Sequence, residues 1–321
     1  MKHTSTINIK QPYPKIVIFG INGWVGKALL DYLFHRLKIA KNNLVLISSS
    51  SKKIKLIDNT EFDCITFDEA LKLPDKNIYF FHLAFKLKDQ LLTTDKNTFK
   101  KQNLTIQKKA LKLIDHFNPN KMIYLSSGAV YNEDRTICNS YDKNPYGYLK
   151  AQDEILFNKL SKENNFTLLI PRIFNIAGNY INKFHIYAIS DFILQAINNQ
   201  QIIIKAKHPV IRSYIEIYDL INIITCWAFD QTSQNFTFDT ANQDKIELSD
   251  LAHLIKNTLN LDIPIIRENF DNTAKSNSYV GNTENINILT KKYQIQLQPH
   301  TICINNIYNY LIKLNLCPSN N

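Results

Sequence analysis

The sequence is poor in glycine, methionine and cysteine. Its 321 residues include seven glycines, two methionines and five cysteines. The cysteines are odd in number, widely spaced and without a C-x-x-C pair, which argues against a disulfide framework and a zinc site and fits a reducing compartment. They are Cys64, Cys138, Cys226, Cys303 and Cys317.

Long apolar runs are also missing. No stretch reaches the roughly 20 apolar residues that a membrane-spanning helix needs. The first residues, MKHTSTINIKQPYPK, lack the apolar core of a secretory signal peptide. We therefore expect a cytoplasmic protein with no membrane partner.

Basic residues exceed acidic ones, and the formal net charge is +10. Such an excess can serve a nucleic acid, an anionic membrane or an anionic small substrate. The lysines are spread over the whole length without a dense basic block. We therefore expect no nucleic-acid partner.

In the first half of the chain, short apolar runs alternate with longer amphipathic segments. This alternation is typical of an α/β fold with a doubly wound parallel sheet that is covered on both faces. The predicted strands are Lys15–Phe19, Leu44–Ser48, Cys64–Phe67, Asn77–Leu83, Lys121–Ser126 and Phe166–Ile173. The predicted helices are Trp24–Leu37, Asn97–Phe117 and Tyr146–Leu160.

The second half mixes signals and predicts a smaller α/β domain. Helices are expected at Asp191–Asn198 and Leu248–Leu259, and strands at Gln201–Lys205 and Phe236–Asp239. We place the first domain at residues 1–176, with 214–242 returning to it, and the second domain at 177–321.

Three of the seven glycines fall between the first predicted strand and the first predicted helix, at Gly20, Gly23 and Gly26. A dinucleotide-binding loop has this position in its fold. There the first glycine allows a tight turn, the second lets a pyrophosphate approach the backbone, and the third lets helix and strand pack closely. The N-terminus of the following helix would face the phosphates with N–H groups.

The GxxGxxG spacing resembles the fingerprint of the extended short-chain dehydrogenase/reductase family. This family is of the NAD-dependent epimerase/dehydratase type and modifies nucleotide sugars. Further segments that resemble its motifs follow in the expected order. They are His82-Leu83-Ala84, Asn103, Ser126–Tyr131 (SSxxVY), Tyr146–Lys150 (YxxxK), Pro171–Gly178 (RxFNxxG) and Arg212–Asp219 (RDFxxVxD).

The resemblance implies a Rossmann-type first domain, a substrate-binding second domain and catalysis by Ser127, Tyr146 and Lys150. Tyr146 and Lys150 are four residues apart on a predicted helix and share a face. A free tyrosine has a pKa near 10, and a neighbouring ammonium lowers it. Tyr146 can then act as the general acid or base, while Ser127 would hydrogen-bond the reacting sugar oxygen.

The resemblance also implies binding residues, and no metal site. Arg212 would contact the substrate diphosphate, since a guanidinium suits phosphate oxygens. Asp68 could meet the adenine or cap a helix, and His82 is expected to be a structural histidine with satisfied ring nitrogens. The implied cofactor contacts are Gly20, Asn22, Gly23, Trp24, Val25, Gly26, Ser48, Ser49, Lys52, Asp68, Leu83, Ala84, Phe85, Asn103, Tyr146, Lys150 and Ile173. The implied substrate contacts are Lys86, Ser127, Gly128, Ala129, Asn175 and Arg212.

Two local features bear on the reaction. The second strand leads into Ser48–Lys53 with no acidic residue, which favours the 2′-phosphate of NADP over NAD, unless the lysines there are simply solvated. Gly128-Ala129 stands where the family's 4,6-dehydratases carry an Asp-Glu pair, so dehydration is not expected.

The sequence therefore predicts an NADPH-dependent reductase of a nucleoside-diphosphate 4-keto-(6-deoxy)sugar. One alternative is an NAD-dependent epimerase that acts through a transient ketone. A more distant one is a catalytically silent relative that senses NADP or binds RNA. Relatives are usually homodimers, here through the helices at 97–117 and 146–160.

Overall fold

A computed structural model describes residues 13–198 and 200–316. The chain forms two compact units. Among the described residues, unit 1 contains those up to Ile173 together with Ile221–Phe238, and unit 2 contains Phe174–Leu220 and those from Asp239 onward. The predicted segments 1–176 and 214–242 extend a few residues past these limits.

The strands and helices are numbered here in chain order. The strands are β1 (Ile16–Phe19), β2 (Leu44–Ile47), β3 (Lys52–Lys55), β4 (Glu61–Cys64), β5 (Tyr79–His82), β6 (Lys121–Tyr124), β7 (Ser126–Ser127), β8 (Thr167–Ile173), β9 (Ile176–Ala177), β10 (Ile202–Ile203), β11 (Val210–Arg212), β12 (Ile215–Glu216), β13 (Phe236–Asp239), β14 (Ile246–Glu247), β15 (Ile265–Ile266) and β16 (Asn277–Tyr279). The α-helices are α1 (Trp24–Asp31), α2 (Phe67–Ala70), α3 (Lys96–Phe117), α4 (Pro145–Glu163), α5 (Ala188–Asn198), α6 (Ile217–Phe229), α7 (Leu248–Thr258), α8 (Glu284–Lys292) and α9 (His300–Lys313).

Unit 1 is built on a seven-stranded sheet in the order β13-β8-β6-β5-β1-β2, with β7 also pairing with β8. The pairs from β2 through β1, β5 and β6 to β8 are parallel. Every residue of β1, β5 and β6 is buried, because a parallel sheet is covered on both faces. The predicted doubly wound, Rossmann-type sheet is confirmed.

The register of this sheet brings the carboxyl ends of four strands level. Phe19 lies opposite both Ile47 and His82, and His82 lies opposite Tyr124. The loops that follow β1, β2, β5 and β6 therefore start from one edge of the sheet. Ligands of open α/β sheets bind at this edge.

Helices α3 and α4 contribute to the core of unit 1. Ala110, Leu113 and Phe117 recur at helical spacing along α3 and pack in one cluster with Phe80 of β5 and Phe157 of α4. The side chain of Asp95 caps α3 by accepting from the N–H groups of residues 97 and 98. The long predicted helix therefore starts one residue earlier than expected, at Lys96.

Two predicted elements of unit 1 are wrong in detail. The strand predicted at Cys64–Phe67 does not form, because β4 ends at Cys64 and pairs antiparallel with β3 as a separate ribbon. Only Ile65 reaches the main sheet, through a single bridge to Ile47. The first helix ends at Asp31 and continues as a π-helical turn over Tyr32–Arg36 rather than as α-helix to Leu37.

A buried lysine at the start of β6 bonds the segment Ile221–Phe238, by which the chain returns to unit 1. Lys121 Nζ donates to the carbonyl of Trp227 at 3.3 Å and to Ser233 Oγ at 2.6 Å, and it also bonds the carbonyl of Asp230. The ammonium thus satisfies carbonyls at the end of α6, where a helix favours a cation.

Unit 2 is a smaller mixed α/β body, as predicted. Strand β11 pairs antiparallel with β14 and parallel with β16, while β9 pairs with β12 and β10 with β15. Helices α5, α7 and α9 pack against one another. None of the helices formed by residues 13–198 and 200–316 combines the length and apolarity needed to cross a membrane.

Candidate active site

The glycine loop has the geometry that its sequence predicts. Gly20 has φ +103°, and a Cβ there would lie 2.5 Å from the backbone N of Ala84, so a side chain is excluded. A Cβ on Gly26 would lie 2.7 Å from the carbonyl of Ile21, which fits the close packing of helix on strand. The first and third glycines are thus required by the fold itself.

Gly23 differs from its two neighbours. A Cβ there would meet its nearest atom at 3.5 Å, an ordinary contact, so packing alone does not demand glycine. Gly23 and Asn22 are exposed, and as the N-cap of α1 Gly23 offers no side-chain acceptor to the first turn. This arrangement fits a phosphate group that accepts from the helix N-terminus.

The loop after β5 is fixed by Asn103 of α3. Asn103 is buried, accepts from the backbone N–H of Lys86 at 2.8 Å and donates to the carbonyl of Phe99 at 3.2 Å. Leu83 N–H continues the sheet by donating to Phe19 O at 2.8 Å. The predicted contacts Leu83, Ala84 and Phe85 thus lie on a backbone held beside Gly20, and Asn103 positions this loop.

The start of α4 is joined to the turn that follows β7. Asn144 Oδ1 accepts from Gly147 N at 2.9 Å, while its Nδ2 donates to Ala129 O at 2.8 Å. Gly147 allows this approach, because a Cβ there would lie 1.9 Å from Ala129 O. Asn144 followed by Pro145 is an N-cap signal that the sequence interpretation missed.

Ser127 ends β7 and caps the short turn of Gly128–Val130. Its Oγ accepts from Ala129 N at 3.2 Å and donates to Ile173 O at 3.4 Å, near the upper limit for a hydrogen bond. Because this donation is long, the hydroxyl can turn toward a better acceptor. Gly128 and Ala129 form the turn itself and present no acid.

Lys150 is buried on α4, about one helical turn after Tyr146. Its Nζ donates to Leu125 O at 2.6 Å and lies 3.9 Å from the ring centre of Phe85 and 4.7 Å from that of Tyr124. The Tyr146 ring, also buried, meets Phe85 edge-to-face at 5.6 Å. Burial lowers the pKa of Lys150 to about 7, although the charges of Asp153 and Glu154 oppose this shift.

Two acids follow Lys150 on the same helix, and neither was predicted as a site residue. Glu154 is paired with Arg172, which approaches it at 2.6 Å, and it also accepts from Ser126 Oγ at 2.5 Å. Asp153 Oδ2 accepts from Tyr124 OH at 2.9 Å. Positions i+3 and i+4 share the helix face of Lys150, so helical spacing could have revealed them.

His82 is not the satisfied histidine that was expected. It is 1% exposed, and within the described part of the chain neither ring nitrogen has a hydrogen-bond partner. Its ring packs among Phe19, Phe80 and Phe157 at the end of the central strand. Burial, together with the nearby Lys150 charge, lowers the pKa of His82 to about 3, so the imidazole is neutral.

At the exit of β2, Ser48 is buried, whereas Ser49 and Lys52 are exposed. Lys53 is not simply solvated, because it pairs with Glu61 across the β3–β4 ribbon at 3.1 Å. Asp68 is exposed and does not cap α2. Thr66 and Glu69 form that cap, since each side chain bonds the other residue's backbone N–H.

The predicted substrate residues Asn175 and Arg212 lie in unit 2. Asn175 Nδ2 donates to Ser213 O at 3.2 Å and Tyr279 O at 3.0 Å. Arg212 Nη1 donates to the carbonyl of Asn277 at 3.0 Å and to its Oδ1 at 3.1 Å. Among the described residues no carboxylate pairs with Arg212, and burial lowers its pKa. The same residues contain no group of three or more His, Cys, Asp or Glu side chains suited to a metal ion.

Two curated relatives resemble this chain, both named UDP-glucose 4-epimerase. The protein of Mycoplasma genitalium is 25% identical over 173 residues, which cover 45% of this chain and 51% of that protein. The protein of Mycoplasma pneumoniae is 21% identical over 256 residues, or 71% of this chain and 75% of that protein. The chain therefore matches only about half the length of the first relative.

Solved structures share the fold. A UDP-N-acetylglucosamine 4-epimerase from Methanobrevibacter ruminantium M1, in complex with UDP-N-acetylmuramic acid, superposes with a TM-score of 0.74 at 17% identity, covering 94% of this chain and 99% of that one. RMD from Pseudomonas aeruginosa, complexed with NADPH, gives a TM-score of 0.69 at 16% identity, covering 92% and 97%.

The family described as the NAD dependent epimerase/dehydratase family matches residues 16–236, which include the glycine loop, Ser127, Tyr146, Lys150 and Arg212. This match covers more than half of the chain and confirms the resemblance drawn from the motifs. The chain is an enzyme of the NAD dependent epimerase/dehydratase family, of the extended short-chain dehydrogenase/reductase type.

Proposed function

We propose that this enzyme oxidises or reduces a sugar carbon of a nucleotide sugar, with Tyr146 as general acid and base. The observation that carries the proposal is the joining of α4 to the Ser127 turn through Asn144 and Gly147. This junction brings the helix of Tyr146 and Lys150 against the turn of Ser127 at the carboxyl edge of the sheet.

A nicotinamide dinucleotide fits the residues at this edge. The uncapped start of α1 and the exposed Gly23 suit its pyrophosphate. Leu83, Ala84 and Phe85 would line its path, and Lys150 would hold its nicotinamide ribose. When bound, the cofactor would accept or donate the hydride of the reaction.

Side chains of the protein would transfer the proton of the reacting sugar hydroxyl. Tyr146 would take the proton of a sugar hydroxyl during oxidation, or return it to the oxygen during reduction. The ammonium of Lys150 favours the phenolate form of a neighbouring tyrosine. Ser127 would redirect its long hydrogen bond from Ile173 O to the reacting sugar oxygen. Arg212 would bind the diphosphate, since its hydrogen-bond partners among the described residues are all neutral.

Two reactions share this proton path. We favour epimerisation at C4 with bound NAD, because both curated relatives are UDP-glucose 4-epimerases. The second candidate is NADPH-dependent reduction of a 4-keto-(6-deoxy) nucleotide sugar. It is supported by the exit of β2, where Ser49 and Lys52 are exposed and no acid stands in Ser48–Lys53 to bind a ribose 2′-OH.

Replacing Tyr146 with Phe tests the proposal directly. Loss of the general acid should lower turnover by about 10²- to 10⁴-fold, while the fold is kept. Turnover is measured as interconversion of UDP-glucose and UDP-galactose, and as NADPH consumption with 4-keto-6-deoxy sugars on UDP, GDP, CDP and dTDP. Tyr148→Phe is the matched control, because Tyr148 packs on Tyr141, ring centre to ring centre at 5.8 Å. Full turnover by the Tyr146→Phe enzyme would refute the assignment.

The cofactor that leaves the denatured enzyme separates the two candidates. An epimerase regenerates its cofactor and should release stoichiometric NAD, with no consumption of added NADPH. A reductase should bind added NADPH and oxidise it in step with the keto sugar.

We further propose a cytoplasmic homodimer through α3 and α4, which a monomeric mass in solution would contradict.

A further inference from the structure

One of the two buried acids that follow Lys150 on α4 forms no salt bridge with any described residue. This acid is Asp153, which is 4% exposed. Its Oδ2 accepts from Tyr124 OH at 2.9 Å, and its Oδ1 accepts from Gln107 Nε2 at 2.5 Å. Both donors are neutral groups, so they fix the carboxylate without cancelling its charge.

Glu154, one residue further along, is in a different position. Its two oxygens accept from Arg172, whose Nε lies 3.0 Å from Oε1 and whose Nη2 lies 2.6 Å from Oε2. The burial of Arg172 would lower its pKa, but the hydrogen bonds and the charge of Glu154 raise that pKa above its usual value. The charge of Glu154 is therefore largely balanced within its own pair.

Lys150 is the other buried charge of this cluster. It is 3% exposed, and its Nζ contacts a carbonyl and two aromatic rings. A buried ammonium that faces such neutral groups holds its proton less tightly than one in water, and a nearby anion restores part of this loss. Asp153 lies three residues further along the helix, a spacing that places the two side chains on neighbouring positions of one face.

We propose that Asp153 is a positioning residue that keeps Lys150 in its ammonium form, with Tyr124 and Gln107 holding the Asp153 carboxylate in place. Tyr124 serves both groups, since its hydroxyl bonds Asp153 while its ring lies under Lys150 Nζ. The inference rests on the proposed function only where it concerns the proton chemistry of Tyr146. The protonation of Lys150 itself is a property of the folded chain.

Other titratable groups also surround Lys150. From its own helix, Tyr146 and Glu154 face it. From the sheet, His82 is neutral because its pKa falls to about 3, and Tyr124 stays a hydroxyl because burial raises its pKa. Arg172 acts through its pair with Glu154. Burial lowers the pKa of Lys150 and raises that of Asp153, so the charged form of each depends on the other.

The test follows Lys150 by NMR in enzyme labelled with 13C at lysine Cε, the signal being assigned by its loss in Lys150→Met. In Asp153→Asn we expect the pKa of Lys150 to fall by about one unit or more. Tyr124→Phe, which loses the hydroxyl but keeps the ring, should lower this pKa by a smaller amount. Glu163→Gln on the exposed end of the same helix is the control, and it should leave the titration unchanged. An unchanged Lys150 titration in Asp153→Asn, with the fold intact, overturns the proposal.

A second readout concerns catalysis. In Asp153→Asn the basic limb of the kcat profile should move to lower pH by the same amount, so that turnover at about pH 8 falls about tenfold and KM changes little. A shifted Lys150 titration with an unshifted kcat profile would overturn the link to catalysis. If neither enzyme turns over a nucleotide sugar, the proposed function fails, while the NMR titration still decides the role of Asp153.

Discussion

Unit 1 and unit 2 each contain an arginine of a family motif, and the two arginines differ in their side-chain partners. In unit 1, Arg172 forms a two-point contact with Glu154 and donates to Tyr131 OH at 2.5 Å. In unit 2, the oxygens that Arg212 contacts among the described residues are backbone and amide oxygens of Ile211 and Asn277. A guanidinium that is fully paired holds a structure together, whereas one that lacks a counter-charge remains ready for an anionic ligand.

The same contrast extends to one buried acid in each unit. Glu154 of unit 1 is paired with Arg172, but the groups of the described residues that donate to Glu216 of unit 2 are all neutral. These are the backbone N–H of Tyr218 at 2.6 Å and of Asp219 at 3.3 Å, and Asn306 Nδ2 at 3.1 Å. Burial, reinforced by the charge of Asp219, raises the pKa of Glu216 to about 7. The Arg172–Glu154 pair of unit 1 is thus balanced, whereas Arg212 and Glu216 of unit 2 form no salt bridge with any described residue.

The largest effect, on the free energy of unfolding, should come from breaking the Arg172–Glu154 salt bridge. Arg172→Met leaves the buried Glu154 carboxylate without its cation, which should cost about 3–5 kcal/mol in the free energy of unfolding. The measurement is urea unfolding at about pH 7. The double variant Arg172→Met with Glu154→Gln should recover part of the loss. Arg212→Met should cost less than half as much, and an equal loss would remove the contrast between the two arginines.

The next effect concerns ligand affinity. Arg212→Met should weaken the binding of nucleoside diphosphates by about 10- to 100-fold, because one charge-assisted contact is lost. Calorimetric titration with UDP and dTDP measures it. Arg212→Lys should be intermediate, since it keeps the charge but not the two-point geometry. Lys205→Met, at an exposed position nearby, serves as control. Unchanged affinity in Arg212→Met would show that this arginine does not bind the diphosphate.

The smallest effect, taken over a single pH unit, should come from Glu216, the buried acid that lacks a basic partner among the described residues. The pKa of Glu216 is about 7 in the folded chain and 4.5 ordinarily, so the folded chain keeps a proton that the unfolded chain has released. The free energy of unfolding should therefore fall as the pH rises from about 4.5 to about 7, by on the order of 1 kcal/mol between pH 6 and 7.

Glu216→Gln removes this titration and should flatten the slope of unfolding free energy against pH. Urea unfolding at several pH values between about 5 and 8 measures the slope. Glu268→Gln, in an exposed position of unit 2, should leave it as in the parent enzyme. If the Glu216→Gln slope equals that of the parent, another group carries the pH dependence.

Much of the fold could be predicted because its signals are local. Buried parallel strands appear as short apolar runs, and a glycine-poor chain with three glycines in one turn needs them there. Gly20 and Gly26 are required by positive φ and close packing, as predicted. The β3–β4 ribbon was missed because each strand has only four residues and carries charged side chains, so the sequence there is similar to that of a polar loop.

The site was harder to predict where it depends on contacts across elements. Asp153 gains its partners from α3 and β6, so no spacing in the sequence links it to Gln107 or Tyr124. His82 was expected to find hydrogen-bond partners, but aromatic residues from its own strand and from β1, β6 and α4 surround it. The positions of Ser127, Tyr146 and Lys150 in their elements agree with the motifs, and their roles stay predictions.

The β3–β4 ribbon has an evolutionary consequence. Its two strands bond each other, and three of the four β3 residues are exposed. Residues near Ser49 and Lys52 can therefore be exchanged without repacking the main sheet. If these residues contact the adenosine end of the cofactor, a lineage could change between phosphorylated and unphosphorylated dinucleotides by a few surface substitutions, leaving the reaction centre as it is.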